Sequence, residues 1–266
     1  MADLGATLLL AGWFHKAHIK PQSCYRTRLL LTHRRNLKAD FLDLEDPCAI
    51  RSRRSASTWG KVGRGAFEQA VRAAAADDPL SAELMDAMLS ARLRAVAEYR
   101  RLHGLVVKMV ARSELCRRFI AIPGVGPVTA LSFMTAINDT SRFRRLRDVA
   151  AYFGLTAQPC QPGSTIDVQG RIWKARDADV RRLLYEAASG QMTRFKGRDK
   201  VKIGGKAIAK RSGHRKACVA VARRLAVIMH AMWSDGTFYV GDSAVSQSDA
   251  ARRAHIKDRR LLVAHR

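Results

Sequence analysis

The ten residues Ile122-Pro123-Gly124-Val125-Gly126-Pro127-Val128-Thr129-Ala130-Leu131 have the composition of a tight turn that opens directly into a helix. Gly124 and Gly126 flank Val125, so the backbone there can adopt positive φ and approach another surface closely. Pro127 suits the first helical position, where a missing N–H costs nothing. A helix that starts this way leaves amide N–H groups unsatisfied, and they favour an anion such as a phosphate. A plain Gly-Pro turn between two helices is the alternative, and the charge around it favours phosphate.

Of 266 residues, 48 are Lys or Arg and 23 are Asp or Glu, a formal net charge of +25. Such an excess attracts polyanions, in binding that weakens with salt. The densest cationic stretch runs from Arg194 to Arg224 and includes Lys196, Arg198, Lys202, Lys210 and Arg211 against one acid, Asp199. With Gly197, Gly204, Gly205 and Gly213 interleaved, it is expected to be a flexible basic segment that follows a phosphate chain. A solvated surface loop is the alternative. A second patch, Arg142, Arg144, Arg145 and Arg147, lies just beyond the glycine turn and is expected to grip the same backbone. Tyr152, Phe153, Trp173 and Tyr185 could stack on bases, although such aromatics are more often core.

Other chemistries find little support. The five cysteines, at 24, 48, 116, 160 and 218, are odd in number and form no Cys-x-x-Cys pair, which fits a reduced cytoplasmic protein rather than a disulfide scaffold. The eight histidines are scattered, and no metal site is expected. Every long apolar run is broken by Arg or Lys, so no membrane span is expected. The apolar patch Ala6 to Trp13 lacks a basic leader, so no signal peptide is expected.

The elements that must position these residues are helical. Leu30, Leu37, Phe41 and Leu44 recur at helical spacing and predict a helix over residues 23–46, ended by Pro47. Residues 47–65 are expected to form a flexible basic loop. Asp78-Pro79 is a helix start, and Leu89, Leu93, Val96, Tyr99, Leu102, Val106 and Met109 predict one long helix from about Leu80 to Phe119. The two helices suit a hairpin or coiled-coil arm that also dimerises. Further helices are expected over Val128–Ile137, from the capping run Asn138 to Ser141 through Phe153 to a close at Gly154, over Asp177–Phe195, and over Arg215–Trp233. Residues 155–176 are irregular, with a short strand over Thr165–Val168.

Several motifs occur in a specific order. The glycine turn is followed by Ser141-Arg142-Phe143-Arg144, Ala151-Tyr152-Phe153-Gly154-Leu155-Thr156, Gly170-Arg171-Ile172 and Asp179-Val180-Arg181-Arg182-Leu183-Leu184-Tyr185-Glu186-Ala187-Ala188. Together they resemble the C-terminal domain of the DEDD-type insertion-sequence transposases (the IS-one-ten group, whose studied members are guided by a bridge RNA). The segment Leu31-Thr32-His33-Arg34-Arg35-Asn36-Leu37-Lys38 resembles the start of their coiled-coil arm.

The resemblance implies a mainly α protein. Residues 1–20 would be the remnant of a RuvC-like domain that is mostly missing, 21–119 a helical coiled-coil arm, 120–240 the C-terminal transposase domain with a helix-hairpin-helix-like glycine turn, and 241–266 a basic disordered tail. It implies DNA transposition, with DNA, a structured guide RNA and a second copy through the arm as partners. The nucleic-acid contacts would be Gly124, Val125, Gly126, Arg142, Arg144, Arg145, Arg171, Lys174, Lys196, Arg198, Lys210 and Arg211. Family members hold Mg²⁺ on four acidic residues of the RuvC-like domain; in this chain the last of these falls at about Met1, and no cofactor is expected. The family's nucleophilic serine aligns with Pro162, with Ser164 two residues on as a weak catalytic candidate. Trp173 stands where the family usually has Ser. The resemblance therefore implies a truncated copy without catalytic activity, or a binding module that pairs with an intact transposase.

Overall fold

The structure, a computed structural model, describes residues 18–54, 67–143, 145–160, 168–172 and 177–240. It is mainly α. Helix α1 (Gln22–Arg54) is followed by α2 (Phe67–Ala75), α3 (Pro79–Arg112), α4 (Glu114–Ile120) and α5 (Pro127–Ile137). A 3-10 turn (Thr140–Arg142) and α6 (Leu146–Tyr152) lead to strands β1 (Ala157–Cys160) and β2 (Val168–Ile172), which pair antiparallel. Then come α7 (Ala178–Thr193), α8 (Lys200–Ser212) and α9 (His214–Ser234).

The long helices α1 and α3 run antiparallel. Phe41 meets Tyr99 edge-on at 5.4 Å, and the Arg34 guanidinium lies 4.8 Å from the Tyr99 ring centre. Arg92 of α3 reaches Glu45 of α1 at 2.7 Å and Glu68 of α2 at 3.7 Å. The expected apolar face of α1 is the one turned inward: Leu30, Leu37, Phe41 and Leu44 are all half-buried.

Several boundaries differ from expectation, among them the run from Asn138 to Phe153, which is a 3-10 turn and a separate α6, and the strands, which lie at Ala157–Cys160 and Val168–Ile172 rather than over Thr165–Val168. Helix α1 continues through Pro47 to Arg54. A proline deletes one intrahelical hydrogen bond and bends the local backbone, yet the turns on either side persist. The expected helix from Leu80 to Phe119 is two helices, because Ser113 adopts an extended conformation (φ −96°, ψ 112°) and caps both. Its amide donates to Val110 O at 3.1 Å, while its Oγ accepts from Cys116 N at 3.2 Å. The segment expected to be flexible after Arg194 holds a helix: residues 200–212 form α8, capped by Asp199, whose carboxylate accepts from Val201 N at 2.7 Å. Gly205 serves packing. A Cβ on Gly205 would lie 2.5 Å from Met192 Sδ and 2.6 Å from Val221, so only glycine lets α8 seat against α7 and α9.

The core gathers around α9. Leu225 and Met229 are fully buried with Phe119, Phe133, Phe153 and Leu184. Phe119 and Phe133 meet at 5.6 Å, and Phe133 and Phe153 at 5.4 Å. Cys116, Phe119 and Ile120 of α4 belong to this core, and burial pushes the Cys116 thiol up to about 11. Helix α9 is long and apolar enough to cross a membrane, but half of that stretch is buried inside the protein as a core helix.

Candidate nucleic-acid interface

The glycine turn links α4 to α5, and each residue in it has a distinct job. Val125 is fully buried, and its amide donates to Ile122 O at 3.1 Å. It is an anchor for the turn, not the expected nucleic-acid contact. Gly124 has φ 89°, and a Cβ there would sit 2.3 Å from the carbonyl oxygen of Ala187. The close approach it permits is therefore to α7 of the protein itself. Gly126 has φ −105°, not the positive value expected, and an added Cβ would meet nothing within 4 Å.

Gly126 is the N-cap of α5 and offers no side-chain cap. Pro127 has no N–H, and the first intrahelical bond runs from Ala130 N to Gly126 O at 2.9 Å. The amides of Val128 and Thr129 precede that bond, and they carry the positive end of the helix dipole. This helix start lines a cleft whose other walls are Arg34, Arg35, Lys38 and Leu42 of α1, and Arg182 and Glu186 of α7, with Arg194 just beyond it.

The charges in the cleft are not equivalent. Lys38 and Arg194 are exposed. Arg35 pairs with Asp179, and Arg182 pairs with Glu186 at 2.6 Å. Arg34 is half-buried and donates to Tyr99 Oη at 2.6 Å and His103 Nδ1 at 3.2 Å. Burial lowers the pKa of its guanidinium, although an arginine keeps its charge at neutral pH. Sequence reasoning placed Lys38, Arg182 and Arg194 among cationic residues without linking them to the turn. Only the packing of α1 along α5 and α7 brings them there.

Arg142 does not join this cleft. Its Nη1 donates to Ile137 O at 3.1 Å, and its guanidinium lies 5.5 Å from the rings of Phe143 and Tyr152. It closes the C-terminus of α5, whereas the glycine turn opens the N-terminus. Eleven residues separate the two ends, about 16 Å of helix. Lys20 assists, donating to Thr135 O at 2.9 Å and Ala136 O at 2.6 Å. Arg142 of the expected arginine patch therefore stands at the opposite end of α5 from the glycine turn.

The remaining candidates are dispersed. Arg145, Lys196, Arg198, Lys210 and Arg211 are exposed, the last two on α8. Lys202, within the same cationic stretch, is buried, with its ammonium on the carbonyls of Phe195 and Gly197. Arg171 lies on β2. Arg144, Pro162, Ser164, Trp173 and Lys174 lie outside the described residues. Phe153 is fully buried, and Tyr152 and Tyr185 are half-buried against the core, so these aromatics pack.

Among the described residues, no group of three or more His, Cys, Asp or Glu side chains is placed to hold a metal ion. The carboxylate in the cleft, Glu186, pairs with Arg182, and Asp177 and Asp179 pair with Arg28 and Arg35. The described donor set does not fit the Mg²⁺ that the family resemblance implies.

Comparison with known proteins bears on the α5 and α7 walls of this cleft. The chain is 35% identical over 128 residues to the transposase for insertion sequence element IS1111A of Coxiella burnetii, covering 47% of this chain and 35% of that protein. It is 30% identical over 133 residues to the transposase for insertion sequence element IS1328 of Yersinia enterocolitica, covering 49% of this chain and 39% of that protein. It is 27% identical over 136 residues to the putative transposase y4pF/y4sB of Sinorhizobium fredii, covering 50% and 35%. The chain thus spans between 35% and 39% of the length of the curated relatives it matches. Residues 116–202, from α4 through the glycine turn and α7 to the start of α8, match the family described as Transposase IS116/IS110/IS902. Across that segment the chain is similar to the transposases of that family.

Proposed function

We propose that this chain is the DNA-binding part of an insertion-sequence transposase, and that it holds a nucleic-acid phosphate at the N-terminus of α5. The observation that carries this is the uncapped start of α5, within the family-matched segment, opening into a cationic cleft whose far wall is α1. The Val128 and Thr129 amides would donate to a phosphate oxygen, with Lys38 and Arg194 neutralising its charge from either side. Arg35 and Arg182 can exchange their carboxylate partners for phosphate, since both pairs are solvent-accessible. The turn would then act as a helix-hairpin-helix-like backbone grip, insensitive to base sequence. The exposed cations of α8, Lys206, Lys210 and Arg211, extend the positive surface. A structured guide RNA and a second copy of the chain are the other partners.

Proline at position 162, where the resemblance places the nucleophilic serine, favours binding over strand cleavage by that residue. It supports the companion proposal of a non-catalytic module that pairs with an intact transposase.

Binding to duplex DNA and to structured RNA, followed by fluorescence anisotropy across a salt series, tests the proposal. Affinity should fall steeply with salt. The Lys38→Glu/Arg194→Glu variant should bind more weakly and lose about two from the log–log salt slope. Equal affinity and slope in the variant would remove the cleft from the account. The relative affinities rank DNA against RNA.

A further inference from the structure

Helix α8 has little of its own to hold it. Gly204 and Gly205 stand in its middle, and Lys200, Lys202, Lys206, Lys210 and Arg211 repel one another with no acid among them. Of its 13 residues only Val201, Lys202 and Gly205 are buried. A helix of that length with so small a packed face is marginal unless its ends are fastened.

The chain beyond α9 supplies the fastening. After α9 ends at Ser234, Gly236 takes φ 67° and redirects the backbone. Phe238 then lies 5.9 Å from the Arg118 guanidinium of α4, and Tyr239 is half-buried against the core. The Tyr239 hydroxyl donates to Oδ2 of Asp199, 40 residues earlier in the chain. Oδ1 of the same carboxylate accepts from Val201 N at 2.7 Å and so caps α8. Asp199 is 1% exposed, too buried for solvent to replace either bond. Burial and the neighbouring carboxylate hold the Tyr239 hydroxyl above the usual phenol range, so it remains a donor.

We propose that Tyr239 is a positioning residue for nucleic-acid binding: it holds Asp199, Asp199 holds the first turn of α8, and α8 then presents Lys206, Lys210 and Arg211. At 3.6 residues per turn the buried residues of α8 share one side, and these three exposed cations fall outside it. With the first turn melted, that alignment is lost, and ordering the cations again costs entropy on binding. This role rests on the reading of α8 as part of the phosphate-binding surface, whereas the fastening itself does not.

Native-state hydrogen exchange of the full chain, read beside DNA anisotropy, tests it. In Tyr239→Phe, the amides of Ile203 to Lys206 should exchange about tenfold faster or more, with those of α5 and α9 unchanged. DNA affinity should fall about fivefold, and Lys210→Glu/Arg211→Glu should cost less in that background than in the parent protein. Gly204→Ala should restore exchange and affinity together, because alanine strengthens α8 and its Cβ would meet only Arg224 Nη1 within 4 Å, at 3.5 Å. Unchanged exchange in α8 would overturn the fastening. Equal acceleration in α5 and α9, or loss of the fold, would make Tyr239 an ordinary core residue. Full affinity while α8 loosens would overturn the positioning role, as would a Gly204→Ala variant that restores exchange without affinity. Lys38→Glu/Arg194→Glu reads the cleft separately, so failure here leaves the cleft standing, and failure of the cleft leaves the role of Tyr239.

Discussion

The two ends of α5 are satisfied in opposite ways. At the C-terminus, Lys20, Arg142 and the Tyr152 hydroxyl all point at the carbonyls of Thr135 to Ile137. At the N-terminus, Gly126 offers no side chain, Pro127 offers no N–H, and the cations of α1 and α7 stand across a cleft. Helices α3, α4, α7 and α8 carry a side-chain N-cap, whereas α5, like α6 and α9, has none. In α5 the negative end is closed internally by cations, while the positive end faces a space already favourable to an anion. Cations at the C-terminus serve the fold, and cations at the N-terminus are available to a ligand. The arginine patch after the glycine turn and the cations of the cleft look alike in sequence yet do different work.

The largest effect should come from Gly124→Val. Positive φ and a carbonyl 2.3 Å from the new Cβ would force α5 away from α7. The expected loss is about 3 kcal/mol or more, measured by chemical denaturation. Gly126→Ala, with open space around it, should cost less than about 1 kcal/mol. Equal losses at both glycines would break the distinction between a packing glycine and an interface glycine.

Next, charge reversal should separate two cationic surfaces. Lys38→Glu/Arg194→Glu should weaken DNA binding about tenfold or more at moderate salt, and Lys210→Glu/Arg211→Glu on α8 by less. The opposite ranking, in the same anisotropy titration, would move the principal contact from the cleft to α8.

Removing the internal closure should affect stability and spare binding. Lys20→Met deletes two charge-assisted hydrogen bonds to α5 and should cost about 1–2 kcal/mol in urea denaturation, with an unchanged salt slope for DNA. A changed slope with unchanged stability would mean that Lys20 contacts the ligand.

The smallest effect is pH-dependent. His230 of α9 is buried edge-on to Phe143, 5.5 Å away, behind the Thr140–Arg142 turn. Burial pushes its imidazole below the ordinary 6.5. The unfolded chain then takes up the proton first, so stability is full above about pH 6.5 and declines as pH falls below it. His230→Gln should flatten that decline in denaturation curves at pH 5 and pH 7.5. An unaltered pH dependence would assign the decline to other groups.

What could be read from the sequence was local. Asp78 with Pro79, Asp177 before α7, and Gly126 with Pro127 are capping signals that depend on their immediate neighbours, and each helix starts where they predict. The inward face of α1 follows from spacing alone. The expected stripe on α3 merged two faces: Leu89 and Val106 are buried, while Leu93 and Met109 are exposed. Helix α8 was hidden because charge density and glycine imitate a flexible segment. Its fold depends on the Asp199 cap and the fit of Gly205 against Met192 and Val221, which are tertiary facts. Likewise nothing local marks Arg142 as a cap for α5 or Lys38 as its neighbour across a cleft.

The central claim is that the first free amides of α5 meet a phosphate. Amide chemical shifts of isotope-labelled protein, recorded as a short DNA duplex is added, test it most directly. The account predicts the largest downfield shifts at Val128 and Thr129, with little change at Thr135 to Ile137. Shifts confined to α8 and α9, with Val128 and Thr129 unmoved at saturation, would contradict it.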